Sequence, residues 1–178
     1  VIVKRTNGAD NWTVQHRSLG GTKSLYLNLD SLEDVSSSEW NNTAATSSVF
    51  TVGTSGKTNA NGDTYVAYIF AHDDAQFGTD GNESIVKCGS LTISSQATVE
   101  VNLGFESQFV LLKRADGSSN WFMFDTMRGM NVNSFNWIYA NTSDAEEHKT
   151  YQGVYPTATG FGFNPASNGQ FTDGSYIY

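Results

Sequence analysis

Apolar and polar residues alternate with period two along most of the chain, and no stretch carries its apolar residues at helical spacing. Val1–Arg5 predicts a short strand ending in two cations. The Asn-Gly pair within Thr6–Asp10 supplies the positive φ of a tight turn, and Asn11–Arg17 alternates again through Trp12, Val14 and His16. Leu25, Leu27 and Leu29 mark a further strand. The polar stretch Asp30–Asn42 leaves room for one helical turn around Ser31–Val35. Val49–Val52 and Thr64–Phe70 predict a hairpin pair across the glycine- and asparagine-rich connection Gly53–Asp63. Further strands are predicted at Ser84–Cys88, Ser90–Ile93, Ala97–Leu103, Phe109–Arg114, Asn120–Thr126, Asn136–Asn141, Thr159–Phe163 and Ser175–Tyr178.

The pattern occurs twice. Ile2-Val3-Lys4-Arg5 with Gly8, Asn11-Trp12 and Gly20 returns as Leu111-Leu112-Lys113-Arg114 with Gly117, Asn120-Trp121 and Gly129, at one constant offset. Leu25-Tyr26 with Asn28 then matches Ile138-Tyr139 with Asn141, and Thr64-Tyr65-Val66 matches Ser175-Tyr176-Ile177. The slips fall in the polar stretches, where a repeated fold tolerates insertions. The expected architecture is all-β: a single β-sandwich or jelly-roll-like domain over 1–178, built from two pseudo-equivalent halves. The halves are 1–70 and 110–178, joined by 71–109, and each covers the other's apolar face. Val1 opens inside an apolar run, and Tyr178 aligns with Ala67, where the first copy continues as Tyr68-Ile69-Phe70. Both ends predict a segment of a longer polypeptide.

Composition narrows the class. Aromatics at 13% argue against disorder, and Ser, Thr, Asn and Gly fill the place of a charged fraction of only 16%. The chain is long enough to bury roughly 70% of its unfolded surface. A net charge of −8, with no basic stripe, excludes a general nucleic-acid role. No run is long and apolar enough for membrane insertion, and the lone Cys88 can form no intrachain disulfide. A small buried strand residue is the expected role of Cys88.

No enzyme constellation stands out. His16, His72 and His148 lie far apart without metal-ligand spacing, and His16 stands where the second copy has Asp125. Acidic pairs occur at Glu33-Asp34, Asp73-Asp74 and Glu146-Glu147. A polysaccharide depolymerase would need two such carboxyls facing each other across a cleft, but these sit in predicted loops. The glycine-bearing loop His72–Glu83 gathers Asp73, Asp74, Asp80, Asn82 and Glu83, oxygen ligands of the kind calcium takes. The spacing matches no EF-hand, and a solvated acidic loop is the plainer reading. Trp12 and Trp121 occupy equivalent repeat positions and are expected as core anchors. Trp40, Trp137, Tyr151 and Tyr155 are the candidates for exposed aromatics contacting a ligand or another subunit.

The chain resembles a domain that recurs in tail-fibre and other virion structural proteins of tailed phages, notably marine phages and cyanophages. The resemblance rests on Val3-Lys4-Arg5 with Asn11-Trp12, on Trp40 to Ala44 and Thr46 to Gly53, and on Asn59 to Tyr68. In the second half it rests on Val101 to Phe105, Phe109 to Arg114, Phe124-Asp125-Thr126-Met127-Arg128-Gly129-Met130, and Tyr139-Ala140-Asn141. It carries over no catalytic residue. It implies a virion-surface, extracellular location on the tail, and a non-enzymatic role in assembly, host attachment or both. Partners would be other tail proteins or a host-surface glycan or protein, with a homotrimer expected by analogy with fibres. The alternative is a lectin-like carbohydrate-binding module of a secreted or surface protein.

Overall fold

The computed structural model describes residues 1–150, 153–164 and 171–178. Its β-strands form three antiparallel sheets, consistent with a β-sandwich. The first sheet comprises β1 (Ile2–Arg5), β2 (Thr13–Val14), β3 (Lys23–Tyr26), β4 (Asp34–Val35) and β5 (Tyr65–Tyr68), in the order β4-β3-β2-β1-β5. The second comprises β6 (Ser90–Ile93), β8 (Phe109–Arg114), β9 (Trp121–Asp125), β10 (Phe135–Tyr139), β11 (Glu147–Lys149) and β14 (Gly174–Ile177), in the order β11-β10-β9-β8-β14-β6. The third pairs β12 (Val154–Thr157), β13 (Gly160–Phe163) and β7 (Val99–Asn102).

The second sheet lies in the middle, because its strands are apolar on both faces. Val110, Leu112, Phe122, Phe124, Phe135 and Trp137 pack with Val154, Phe161 and Phe163 of the third sheet in the larger core. Trp121 and Ile177 point the other way and meet Val14 and Leu25 of the first sheet in a smaller one. Period-two alternation sends neighbouring residues of one strand into different cores. Trp121 also donates its indole N–H to the Tyr26 carbonyl (2.9 Å), so the two sheets are joined by a buried hydrogen bond.

The first two sheets share one register. Ile2 lies opposite Val14 as Leu111 lies opposite Met123; Thr13 opposite Tyr26 as Phe122 opposite Tyr139. Ser24 lies opposite Asp34 as Trp137 opposite Glu147; Arg5 opposite Tyr65 as Arg114 opposite Tyr176. Polar contacts recur too. Asn28 accepts the Trp12 amide (2.9 Å) and Asn141 the Trp121 amide (2.8 Å). Lys4 and Lys113 each donate to the carbonyl of the following arginine. At both Gly8 and Gly117 a Cβ would stand 2.6 Å from the guanidinium of that arginine, so a side chain there would displace it.

The outer faces of the two sheets are covered differently. Where the second sheet presents Phe122 and Trp137, the first presents Thr13 and Ser24, all four buried. The gap over Ser24 is filled from the loop: Trp40 is fully buried and donates its indole N–H to the Ser24 hydroxyl (2.7 Å). Beside it, buried Glu39 pairs with Lys57 (3.3 Å), and Lys57 also donates to the Tyr26 hydroxyl (2.6 Å). Burial alone would raise the Glu39 carboxyl, but hydrogen bonds from Ser36 and Lys57 hold it below the usual range.

Several expectations need correction. The helical turn falls at α1 (Gly56–Asn59), capped by the Ser55 side chain, and not at Ser31–Val35, whose end forms the edge strand β4. Val49–Val52 forms no strand; β5 pairs with β1, because covering Ser24 demands an irregular loop. Ser84–Cys88 forms no strand; the Val86 carbonyl accepts the Asp73 amide (2.9 Å), beside the Phe77–Glu83 bridge. Trp121 is a core anchor, whereas its counterpart Trp12 is half-buried and stacks on Tyr68 (6.0 Å between centroids).

Replacing Trp40 by alanine is expected to lower the unfolding free energy by about 3–5 kcal/mol in urea titrations, the cost of emptying a packed aromatic site. A change within about 0.5 kcal/mol, as at an open surface, would contradict this placement.

Candidate functional site

The aromatics singled out in the sequence are not brought together on the surface. Trp40 and Trp137 are fully buried, since each fills the outer face of its own sheet, and Trp137 stacks on Phe135 at 5.0 Å. Tyr155 is buried against Gly162, with its hydroxyl directed to Glu100 (3.5 Å). Tyr151 lies outside the described residues.

The acidic loop does not converge either. Asp73 is paired with Lys87 (3.1 Å), and hydrogen bonds from Lys87 and Ser84 hold its carboxyl below the usual range. Asp74, Asp80, Asn82 and Glu83 are exposed, and among the described residues no three His, Cys, Asp or Glu side chains stand close enough to hold a metal ion. The other acidic pairs diverge. Glu33 pairs with Lys23 while Asp34 accepts from Tyr26; Glu146 pairs with Arg128 while Glu147 accepts from Tyr139.

A cleft of about 1320 Å³ opens at the junction of the first and second sheets. Its floor is the apolar seam between them, including Ile2, Val14, Leu111, Met123 and Ile177. Its rim carries Ile69, Phe70, Ile85 and Phe109, each more than half exposed. Large apolar side chains gathered around a concavity mark a contact surface, whereas scattered ones do not.

One wall is polar and fixed. The His16 ring Nδ1 accepts the Ser18 amide (3.2 Å), so its Nε2–H donates to the Tyr178 carbonyl (3.1 Å). Burial lowers the His16 pKa to about 4, which keeps the ring neutral. Asp125, the residue aligned with His16, accepts the Arg128 amide (2.6 Å). Arg17 donates to the Cys88 carbonyl, and the Cys88 amide donates to His72 Nδ1 (3.0 Å). Cys88 is thus half-buried on a stretch that forms no strand. Its thiol is raised by burial and its neighbours hold its backbone, so the geometry gives a protonated thiol in a wall.

A family model described as a domain of unknown function, DUF7483, matches residues 1–178. The chain belongs to the DUF7483 family. No curated protein and no solved structure matches it. What this DUF7483 domain offers chemically must therefore be read from the cleft, whose parts the sequence left scattered. Ile69 and Phe70 stood in a predicted strand and Ile85 in another. His16 stood in the alternating run Asn11–Arg17. Only the packing of the first sheet on the second joins them.

A histidine with a lowered folded pKa binds more protons when unfolded, so its contribution is complete above about pH 6.5 and is lost as pH falls toward 4. The urea midpoint is expected to decline through that window, by up to about 3 kcal/mol in free energy. His16→Gln, which keeps a donor for the Tyr178 carbonyl, is expected to flatten the decline between about pH 6.5 and pH 5. An unchanged slope would contradict the buried neutral ring.

Proposed function

We propose that this DUF7483 domain is a non-enzymatic module of a phage virion tail, on the outside of the particle, that works in assembly or host attachment through protein contact. The observation that carries the contact role is the cleft: four large apolar side chains stand exposed around an apolar floor on a chain of net charge −8. Water penalises such a surface, and a packed protein partner relieves the penalty. The tail location rests on the resemblance of the Phe124-Asp125-Thr126-Met127-Arg128-Gly129 and Asn61-Gly62-Asp63-Thr64-Tyr65-Val66-Ala67 runs to virion proteins. A homotrimer is the assembly proposed, by analogy with fibres.

The lectin-like alternative depended on exposed aromatics for stacking on sugars. Burial of Trp40, Trp137 and Tyr155 removes three of its four candidates.

Light scattering on the isolated chain is expected to give a trimer mass that falls to a monomer in the Ile69→Asp/Phe70→Asp variant. Immunogold electron microscopy with an antibody to the domain is expected to label phage tails. A wild-type monomer at all concentrations would end the trimer, and particles without label would end the virion assignment.

A further inference from the structure

The common register of the first two sheets leaves one difference at their edges. In the second sheet β14 is not an edge: β6 pairs with it antiparallel, Leu91 opposite Tyr176 and Ile93 opposite Gly174. Beyond the strands the ladder continues, with Tyr178 and Gly89 exchanging both backbone hydrogen bonds at 3.0 Å. The strand in the equivalent place of the first sheet is β5. It pairs with β1, and among the described residues no strand lies on its other side.

Hydrogen-bond parity shows which groups are left. Thr6 N–H donates to the Thr64 carbonyl (2.8 Å), so Thr64, Val66 and Tyr68 direct their backbone groups toward β1. Tyr65 and Ala67 therefore direct theirs outward. In the second sheet Ala115 N–H donates likewise to the Ser175 carbonyl (2.8 Å), and the outward residues are Tyr176 and Tyr178, the two that bond to β6 and Gly89. Tyr65 and Ala67 hold the positions of Tyr176 and Tyr178 with no strand opposite among the described residues.

Natural sheets blunt such edges with charge, proline or brevity. The edge strand β4 has two residues and an aspartate, β11 reads Glu-His-Lys, β12 carries Pro156 and β7 carries Glu100, whereas β6 is covered by none of these devices. Tyr65-Val66-Ala67-Tyr68-Ile69-Phe70 has no charge and no proline, and its last four residues are exposed. Nothing along it opposes an added strand.

We propose that the free edge of β5 is a strand-acceptor site, completed by an extended polypeptide segment that adds antiparallel as β6 adds to β14. The occupant's chemistry follows from β6, which reads Ser-Leu-Thr-Ile with Leu91 and Ile93 buried and Ser90 and Thr92 exposed. The incoming strand alternates small polar and branched apolar residues, with an apolar residue opposite Tyr65 and a second opposite Asp63. Main-chain hydrogen bonds to Tyr65 and Ala67 supply affinity, and the alternate side chains supply selectivity. This site is separate from the virion reading, because it concerns a backbone edge and its test reads two amides.

The test attaches a copy of the Gly89–Ser94 sequence to the N-terminus of the 178-residue chain through a Gly/Ser linker of about 20 residues, which holds it at high local concentration. Amide exchange at Tyr65 and Ala67, read residue by residue by NMR, is expected to slow by about tenfold or more relative to the untethered chain. A tether with proline in place of both apolar residues leaves the domain untouched and is expected to give no protection. Ala67→Pro, which removes an outward N–H and spares the β1 ladder, is expected to weaken protection at Tyr65. Equal exchange with and without the tether would overturn the proposal. So would protection in the untethered chain that grows with concentration, which would make the occupant the β5 of a second copy.

Discussion

Every layer of this structure depends on β8 and β9 being apolar on both faces. A sheet with one apolar face needs one cover; these strands need two. Val110, Leu112, Phe122 and Phe124 demand the third sheet, while Leu111 and Trp121 demand the first. Burying one such side chain is worth about 1.5–3 kcal/mol, and neither half supplies both covers from its own strands. The smaller core is stitched by backbone as well: the Glu33 amide donates to the Ala115 carbonyl and the Ser119 amide to the Asp30 carbonyl, both at 2.8 Å. Lys113, fully buried, reaches the same Asp30 carbonyl (3.2 Å), and burial lowers its pKa to about 8. The desolvated ammonium is held by the Asp30 and Arg114 carbonyls, which ties the first-sheet loop to β8 at that point.

With one register, two different outer covers follow from two substitutions of size. Thr13 and Ser24 are small and polar, so the first sheet accepts an inserted tryptophan and a buried Glu39–Lys57 pair from an irregular loop. Phe122 and Trp137 fill the same positions in the second sheet and pack against strands. The same comparison explains the edges. The segment that carries β6 gives the second sheet its sixth strand, and the first sheet ends at β5.

The strands were most legible where the apolar run was continuous, as at Phe109–Arg114 and Trp121–Asp125, because a strand buried on both faces leaves an unbroken apolar stretch in the sequence. The repeated Asn-Trp and Lys-Arg-Gly elements were legible as pattern, and their reasons are local: an asparagine clasping a tryptophan amide, and a guanidinium lying on a glycine. Trp40 was misread because a tryptophan among serines and asparagines looks exposed; the small residues that make room for it lie on another strand. The edge strands β4 and β11 were missed since two or three residues, most of them polar, are too few to carry a periodic apolar signal. The cleft could not be read at all. Its floor and rim come from segments as distant as Ile2, Phe70, Met123 and Tyr178, and only the packing angle between two sheets assembles them.

The contact role proposed for the domain requires a rigid frame behind the cleft, which is what a shared core would provide. Native-state hydrogen exchange tests this most directly, because it resolves the opening free energy of individual amides. Amides of the first sheet, such as Val3 and Leu25, are predicted to open in the same global event as Leu112 and Phe124 of the second. Exchange of the first-sheet amides through a lower-energy opening that leaves Leu112 and Phe124 protected would show two independent halves, and would contradict a fold held together by its central sheet.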